Sequence, residues 1–160
     1  MKLVVHAVGR LKAGPERELA DRYFKRLAKS GPGVGIEFSD IVEIPEGHAQ
    51  TANERRREEG QRLQTHIQPG TALILLDERG KNLSSEDLAG KIGLLRDGGR
   101  KAVLVAIGGA DGHDASLHKQ AELVLSFGAL TWPHQLVRVM LAEQLYRVAT
   151  ILAGHPYHRS

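Results

Sequence analysis

Ala102-Val-Leu-Val-Ala-Ile107, running straight into Gly108-Gly-Ala-Asp-Gly112, is the stretch on which the reading of the fold turns. Six apolar residues in a row form a strand, and the glycines that end it let bare backbone come close to a ligand. A second pair follows the same plan, Leu123-Val-Leu-Ser-Phe127 and then Gly128-Ala-Leu-Thr-Trp-Pro133. In parallel sheets, the carboxyl ends of the strands are where small ligands bind. The two glycine-bearing exits are therefore the first candidates for a site.

Working outward, strands and helices alternate. Leu3 to Val8 is a strand closed by Gly9, and Pro15 opens a helix that Gly31-Pro32 stops. Ile36 to Ile44 alternates as a second strand ended by Pro45, and a polar link to Ala52 is the expected flexible segment before a helix over about 53–66. Ala72-Leu-Ile-Leu-Leu76 is short and wholly apolar, the pattern of a strand covered on both faces. Ser84 and Asp87 start a helix that ends near Asp97. From His134, the apolar positions Leu136, Met140, Leu141, Leu145, Val148 and Leu152 recur at helical steps, widened by Val137 and Ile151. A stripe that broad wants cover on more than one side, as a subunit interface would give. Gly154 and Pro156 end the helix and leave the tail His155-Pro-Tyr-His-Arg-Ser160. The alternation predicts an α/β fold, a mostly parallel sheet with helices on both faces, in a single domain over 1–160.

Bulk properties narrow the function classes. With 160 residues, 41% hydrophobic and 26% charged, the chain can build an ordinary globular core. No cysteine is present, so disulfide and thiolate chemistry are excluded. A net charge of +3 is a mild bias toward anionic partners, with basic clusters at Arg22-Lys25-Arg26-Lys29 and Arg55-Arg56-Arg57. The apolar start is too short and too interrupted for a signal peptide, and no run approaches the length of a membrane span. The expectation is a cytoplasmic protein with no membrane association.

Several stock motifs fail. Gly9-x4-Gly14 is followed by Pro15-Glu16 where a P-loop requires Lys-Ser/Thr, and Gly108-Gly109-x-x-Gly112 lacks dinucleotide-fingerprint spacing. His155 and His158 offer too few ligands for zinc, so no metal is expected. Neither Ser84 nor Ser85 sits in a nucleophile elbow.

What survives is an ordered set: a GGxxG loop at 108–112, Thr131-x-Pro133-His134-x-Leu136-Val137-Arg138, Glu143-x-Leu145-Tyr146-Arg147, and the ending Pro156-Tyr157-His158-Arg159. Together these resemble the ribosomal large-subunit pseudouridine N3-methyltransferase family, of the SPOUT class, most sharply from Leu104 to Arg159. The resemblance implies a C-terminal deep trefoil knot, a rare exception to unknotted topology, and a homodimer with the last helix at its interface. It implies S-adenosylmethionine as methyl donor, held at Leu76, Gly108 and the segment Phe127, Gly128, Ala129, Leu130, Thr131 and Trp132. Many relatives carry Ser at the position of Gly128, so a hydroxyl contact is absent here.

The tail is implied to act beside the partner's cofactor. His158 or Tyr157 would assist proton removal, and Arg159 would hold a phosphate or the developing anion. His134 and Arg138 would contact RNA or pair locally, and Glu143 would offset the sulfonium or pair with Arg147. The implied substrate is N3 of a pseudouridine in helix 69 of bacterial 23S rRNA, within the large subunit or the assembled ribosome. The alternatives are a SPOUT methyltransferase for another rRNA or tRNA position, and a non-catalytic ribosome-binding factor.

Overall fold

The structure is a computed structural model and describes residues 1–159. Its strands are β1 (Lys2–Val8), β2 (Glu37–Ile44), β3 (Thr71–Asn82), β4 (Ala102–Ile107) and β5 (Leu123–Ser126). The helices are α1 (Pro15–Ser30), α2 (Ala52–Gln64), α3 (Ser85–Asp97), α4 (Ala115–Gln120) and α5 (His134–Leu152), with a 3-10 turn at Gly31–Val34. The strands form one sheet in the order β2-β1-β4-β3-β5, parallel at every pairing. The α/β architecture read from the sequence is thus the one observed.

Alternation of side chains along each strand divides the core in two. Leu3, Val5, Ala7, Ala72, Ile74, Val103 and Val105 face one side, where they pack with α1, α3 and α5. Leu73, Leu75, Leu104 and Ala106 face the other, against Leu63 of α2 and Leu117 of α4. Residues 72–76 of β3 and the whole of β4 are apolar because both of their faces are covered, whereas the edge strand β2 is only partly buried. No helix among the described residues is long and apolar enough to cross a membrane.

Two local expectations need correction. The third strand does not stop at Leu76. It continues to Asn82 through a register shift, pairing Lys81 and Asn82 with Leu125 and Ser126 of β5. Its continuation is polar and half-exposed, so hydrophobicity could not reveal it. Gly80 permits the crossing: a Cβ there would lie 2.7 Å from both the Leu125 carbonyl carbon and the Val124 oxygen. Nor is the 45–52 link loose. Side chains of α2 bind its backbone: Glu59 accepts from the Gly47 N–H (2.8 Å), Glu58 accepts from the His48 N–H (3.0 Å), and Arg62 donates to the Pro45 carbonyl (2.8 Å).

Helix α5 packs against both α1 and α3, burying Leu141, Leu145 and Val148. The stripe is wider than that cover. Leu136 remains 42% exposed, beside Leu130 at 70% and Trp132 at 38%.

Candidate active site

A parallel sheet brings the exits of β3, β4 and β5 to one edge. There the segments 76–79, 107–115 and 127–132, with the start of α5, enclose a cavity of about 720 Å³. Of the expected cofactor residues, Leu76, Gly108, Phe127, Gly128, Leu130, Thr131 and Trp132 all line it, as does His134, one of the two expected RNA contacts. Ala129 is exposed in the same loop without lining the cavity.

The glycines serve different ends. Gly109 has no room for a side chain, since a Cβ would lie 2.7 Å from Glu59 Oε2. Gly128 has open space but φ of 111°, a conformation that favours glycine. The hydroxyl that a serine would carry in place of Gly128 is missing, and Ser126 supplies one from two residues upstream. Its buried Oγ accepts from the Gly128 N–H (3.1 Å) and lies within donating distance of the Glu78 (3.1 Å) and Gly128 (3.0 Å) carbonyls. Ser126 therefore joins the β5 exit to the continuation of β3.

The loop after β4 is gripped from α2. Arg55 makes a bidentate pair with Asp111, at 2.7 and 3.1 Å, and donates to the Ala49 and Gln50 carbonyls at 3.1 Å each. Arg56 donates to the Asp111 carbonyl at 3.1 Å. The Arg55 guanidinium holds the Asp111 carboxyl below the usual carboxylate range. Of the basic run, Arg55 is thus committed to its own fold, while Arg57 is exposed at the cavity rim. Asp77, Glu78 and Asp114 line the same cavity together with Arg56, Arg57 and Arg79, so it presents charges of both signs.

Arg138, expected to contact RNA or pair locally, is buried, pairing with Glu43 at 2.5 Å and donating to the Gly9 carbonyl. Desolvation alone would raise the Glu43 pKa, yet hydrogen bonds from the Leu11 N–H and Arg138 hold it below the ordinary value. Of its two sequence readings, local pairing is the one the geometry provides.

The tail turns back along α5 and α3. Tyr157 Oη donates to Glu143 Oε1 (3.0 Å), and Glu143 also pairs with Arg147 (2.5 Å). His158 Nε2 lies 2.6 Å from Glu86, with Nδ1 3.2 Å from the Arg147 guanidinium. Partial burial and then the Glu143 carboxylate push the Tyr157 hydroxyl above the usual phenol range, so it stays protonated. Arg159 is exposed. None of these three residues lines the cavity of its own chain. Glu143 instead lines a second groove, of about 570 Å³, which meets the cavity at Leu125, Phe127 and Gly128.

Sequence reading misses Ser126, Glu59, His113 and the Arg55–Asp111 pair. Each depends on a contact between distant segments, which no local pattern announces. Among the described residues, no group of three or more His, Cys, Asp or Glu could hold a metal ion.

Residues 1–158 match the family described as "Predicted SPOUT methyltransferase". A protein called ribosomal RNA large subunit methyltransferase H from Mesorhizobium japonicum is 76% identical over 160 residues, covering 100% of both chains. One of the same name from Brucella anthropi is 60% identical over 160 residues, again covering 100% of both. Among solved structures, the SpoU methyltransferase AviRb from Streptomyces viridochromogenes, in complex with AdoMet, aligns with a TM-score of 0.40 at 10% identity. That alignment covers 92% of this chain and 59% of AviRb. Family match and full-length identity agree with the ordered motifs and the parallel α/β sheet: this chain belongs to the SPOUT methyltransferase family, among the ribosomal RNA large subunit methyltransferases H.

Proposed function

We propose that this protein is an S-adenosylmethionine-dependent methyltransferase of large-subunit ribosomal RNA, and that its target is N3 of a pseudouridine in helix 69 of 23S rRNA. The observation that carries the reading is the convergence of Leu76, Gly108 and the 127–132 loop on one cavity. The residues fit the ligand. Backbone at the glycines can read the edges of an adenine, Leu76, Phe127 and Leu130 offer apolar cover, and charges of both signs suit a ligand that carries a sulfonium, an ammonium and a carboxylate. Bound there, S-adenosylmethionine would supply a methyl group already activated on a sulfonium.

The protein's part is alignment and proton removal. The N3 lone pair forms its bond to the methyl carbon as the carbon–sulfur bond breaks, and the N3 proton passes to a base. Tyr157, hydrogen-bonded and held protonated, is poorly suited to that role, which leaves His158. Arg159, exposed in the tail, would meet a phosphate or the developing anion.

The tail does not reach its own cavity, so the reading needs a homodimer in which each tail serves the other protomer's site. Uncovered Leu130 and Trp132 on the cavity wall, and Leu136 on the first turn of α5, supply apolar surface for such a partner. The deep trefoil knot belongs to the same reading, supported by the continuation of β3 laid across β5 at Gly80.

Incubating the protein with labelled methyl donor and ribosomes lacking the modification tests this directly. Label should map to N3 of one pseudouridine in helix 69. Label at another base would overturn the assignment of target, and no label with intact ribosome binding would favour a non-catalytic factor.

A further inference from the structure

His113, in the loop after β4, has no part in the proton transfer proposed above, yet it lines the cavity. Its Nε2 lies 3.1 Å from the Leu76 carbonyl oxygen. Its ring also packs under Gly108, where a Cβ would meet Cε1 and Nε2 at 3.2 Å. One imidazole therefore braces two of the three cavity-forming segments at once. A carbonyl only accepts, so this contact requires the hydrogen on Nε2.

Charged and titratable groups reach the ring from β1, β3, α2, α4 and its own loop. His118 of α4 stands edge-on, with ring centroids 6.2 Å apart, and its own Nε2 is 3.4 Å from Asp77 Oδ2 on β3. Behind the ring, a narrow void is shared with His6 of β1, Arg56 and Glu59 of α2, and Asp114 of its own loop. Desolvation first, and His118 second, push the His113 pKa down, outweighing Asp77 and the Leu76 and Ala106 carbonyls. The imidazole is therefore neutral at neutral pH.

We propose that His113 is a positioning residue for the adenosyl ligand, and that proton binding at its ring opposes ligand binding in the cavity. The inference rests on the S-adenosylmethionine reading above. A sulfonium ligand filling the cavity would remove water from the ring and add positive charge near it. Both effects disfavour the imidazolium. Linkage is reciprocal, so protonating His113 must weaken the ligand by the same factor. Each unit by which the ligand lowers the His113 pKa corresponds to about a tenfold loss of affinity on full protonation.

Calorimetric titration of the full chain with S-adenosylmethionine from pH 8 to pH 5 tests the proposal, using wild type, His113→Gln, His113→Leu and His118→Asn. Wild-type affinity should fall as the pH is lowered. His113→Gln, whose amide can still donate, should bind within severalfold of wild type at pH 8 and lose the acid dependence. His113→Leu should bind more weakly at pH 8 and also be flat with pH, while His118→Asn keeps the dependence. Acid dependence unchanged in His113→Gln, or wild-type affinity in His113→Leu, would overturn the proposal. Nitrogen-15 spectra of the wild-type ring provide a second readout that needs no variant: ligand should lower the His113 titration midpoint, and an unmoved midpoint would overturn the proposal. Absence of binding by wild type at every pH would instead remove the cofactor reading on which it rests.

Discussion

His6 shows how much one residue can weigh. It is 1% exposed on the face of β1 that meets α2, its ring 5.6 Å from that of His66. Burial, followed by His66 and His113, pushes its pKa from 6.5 down to about 4. The folded chain therefore binds fewer protons than the unfolded chain between those values. Its stabilising effect is complete above pH 6.5 and is lost as pH falls toward about 4. Unfolding in urea across that window should show a loss of about 3 kcal/mol from this residue. His6→Leu should reduce the acid loss, leaving the share of His113, whose pKa burial also lowers, and an equally steep acid loss in that variant would refute the assignment. Gly80 is the second single-residue case. Gly80→Ala forces a Cβ onto the backbone of β5, at a cost of about 1–3 kcal/mol. Its thermal midpoint should drop by roughly 2–4 °C for each kcal/mol, and an unchanged midpoint would show that β3 yields there without strain. His6 also marks a limit of reading sequence. In the string it only interrupts an apolar run, and nothing local announces that it is buried against a second histidine.

At the scale of elements, legibility followed periodicity. Residues 72–76 of β3 and all of β4 are apolar because both faces are covered, and α5 declares itself by a three-and-four repeat, so their existence and succession along the chain were readable. Ser84 Oγ accepts from the Asp87 N–H at 3.0 Å, as its spacing promised. The continuation of β3 was not readable, because a polar strand laid over an edge carries no hydrophobic signal. Pinning of the 45–52 link was hidden for another reason: its partners Glu58, Glu59, Arg55 and Arg62 look like an ordinary solvated helix face. The cavity shows the same division. Glycines marked where backbone would approach a ligand, but the fork of Arg55 on Asp111 joins segments 56 residues apart. That fork makes α2 a support for the cavity-forming loop. Arg55→Ala should weaken S-adenosylmethionine binding severalfold and speed amide exchange at residues 109–112, with α2 remaining helical by circular dichroism. Arg55→Lys should restore little, since an ammonium cannot reproduce the two-pronged contact. Unaltered exchange at 109–112 in Arg55→Ala would show that the pair does not restrain the loop.

For the whole molecule, the decisive relation is between the tail and the cavity. Within one chain, His158 is tied to Glu86 and Arg147 while the cavity opens at the other end of α5. A tail confined to its own chain would make Tyr157, His158 and Arg159 ornaments of α5, whereas in the proposed homodimer they would form the far wall of the partner's site. Subunit mixing separates the two arrangements. A chain lacking residues 156–160 should still bind the methyl donor, because no tail residue lines the cavity, but should not transfer methyl groups. A chain carrying Gly108→Val, whose side chain would crowd His113 and Gly112 from 3.2 Å, should lose donor binding while keeping its tail. Each homodimer should be inactive. Co-expressed, they should form heterodimers in which the intact tail of one meets the intact cavity of the other, giving one working site in two. Statistical mixing makes half of the dimers hetero, so activity should recover to about a quarter of wild type. Recovery absent in verified heterodimers would mean that tail and cavity must belong to the same chain. Activity in the truncated homodimer would remove the tail from the chemistry altogether.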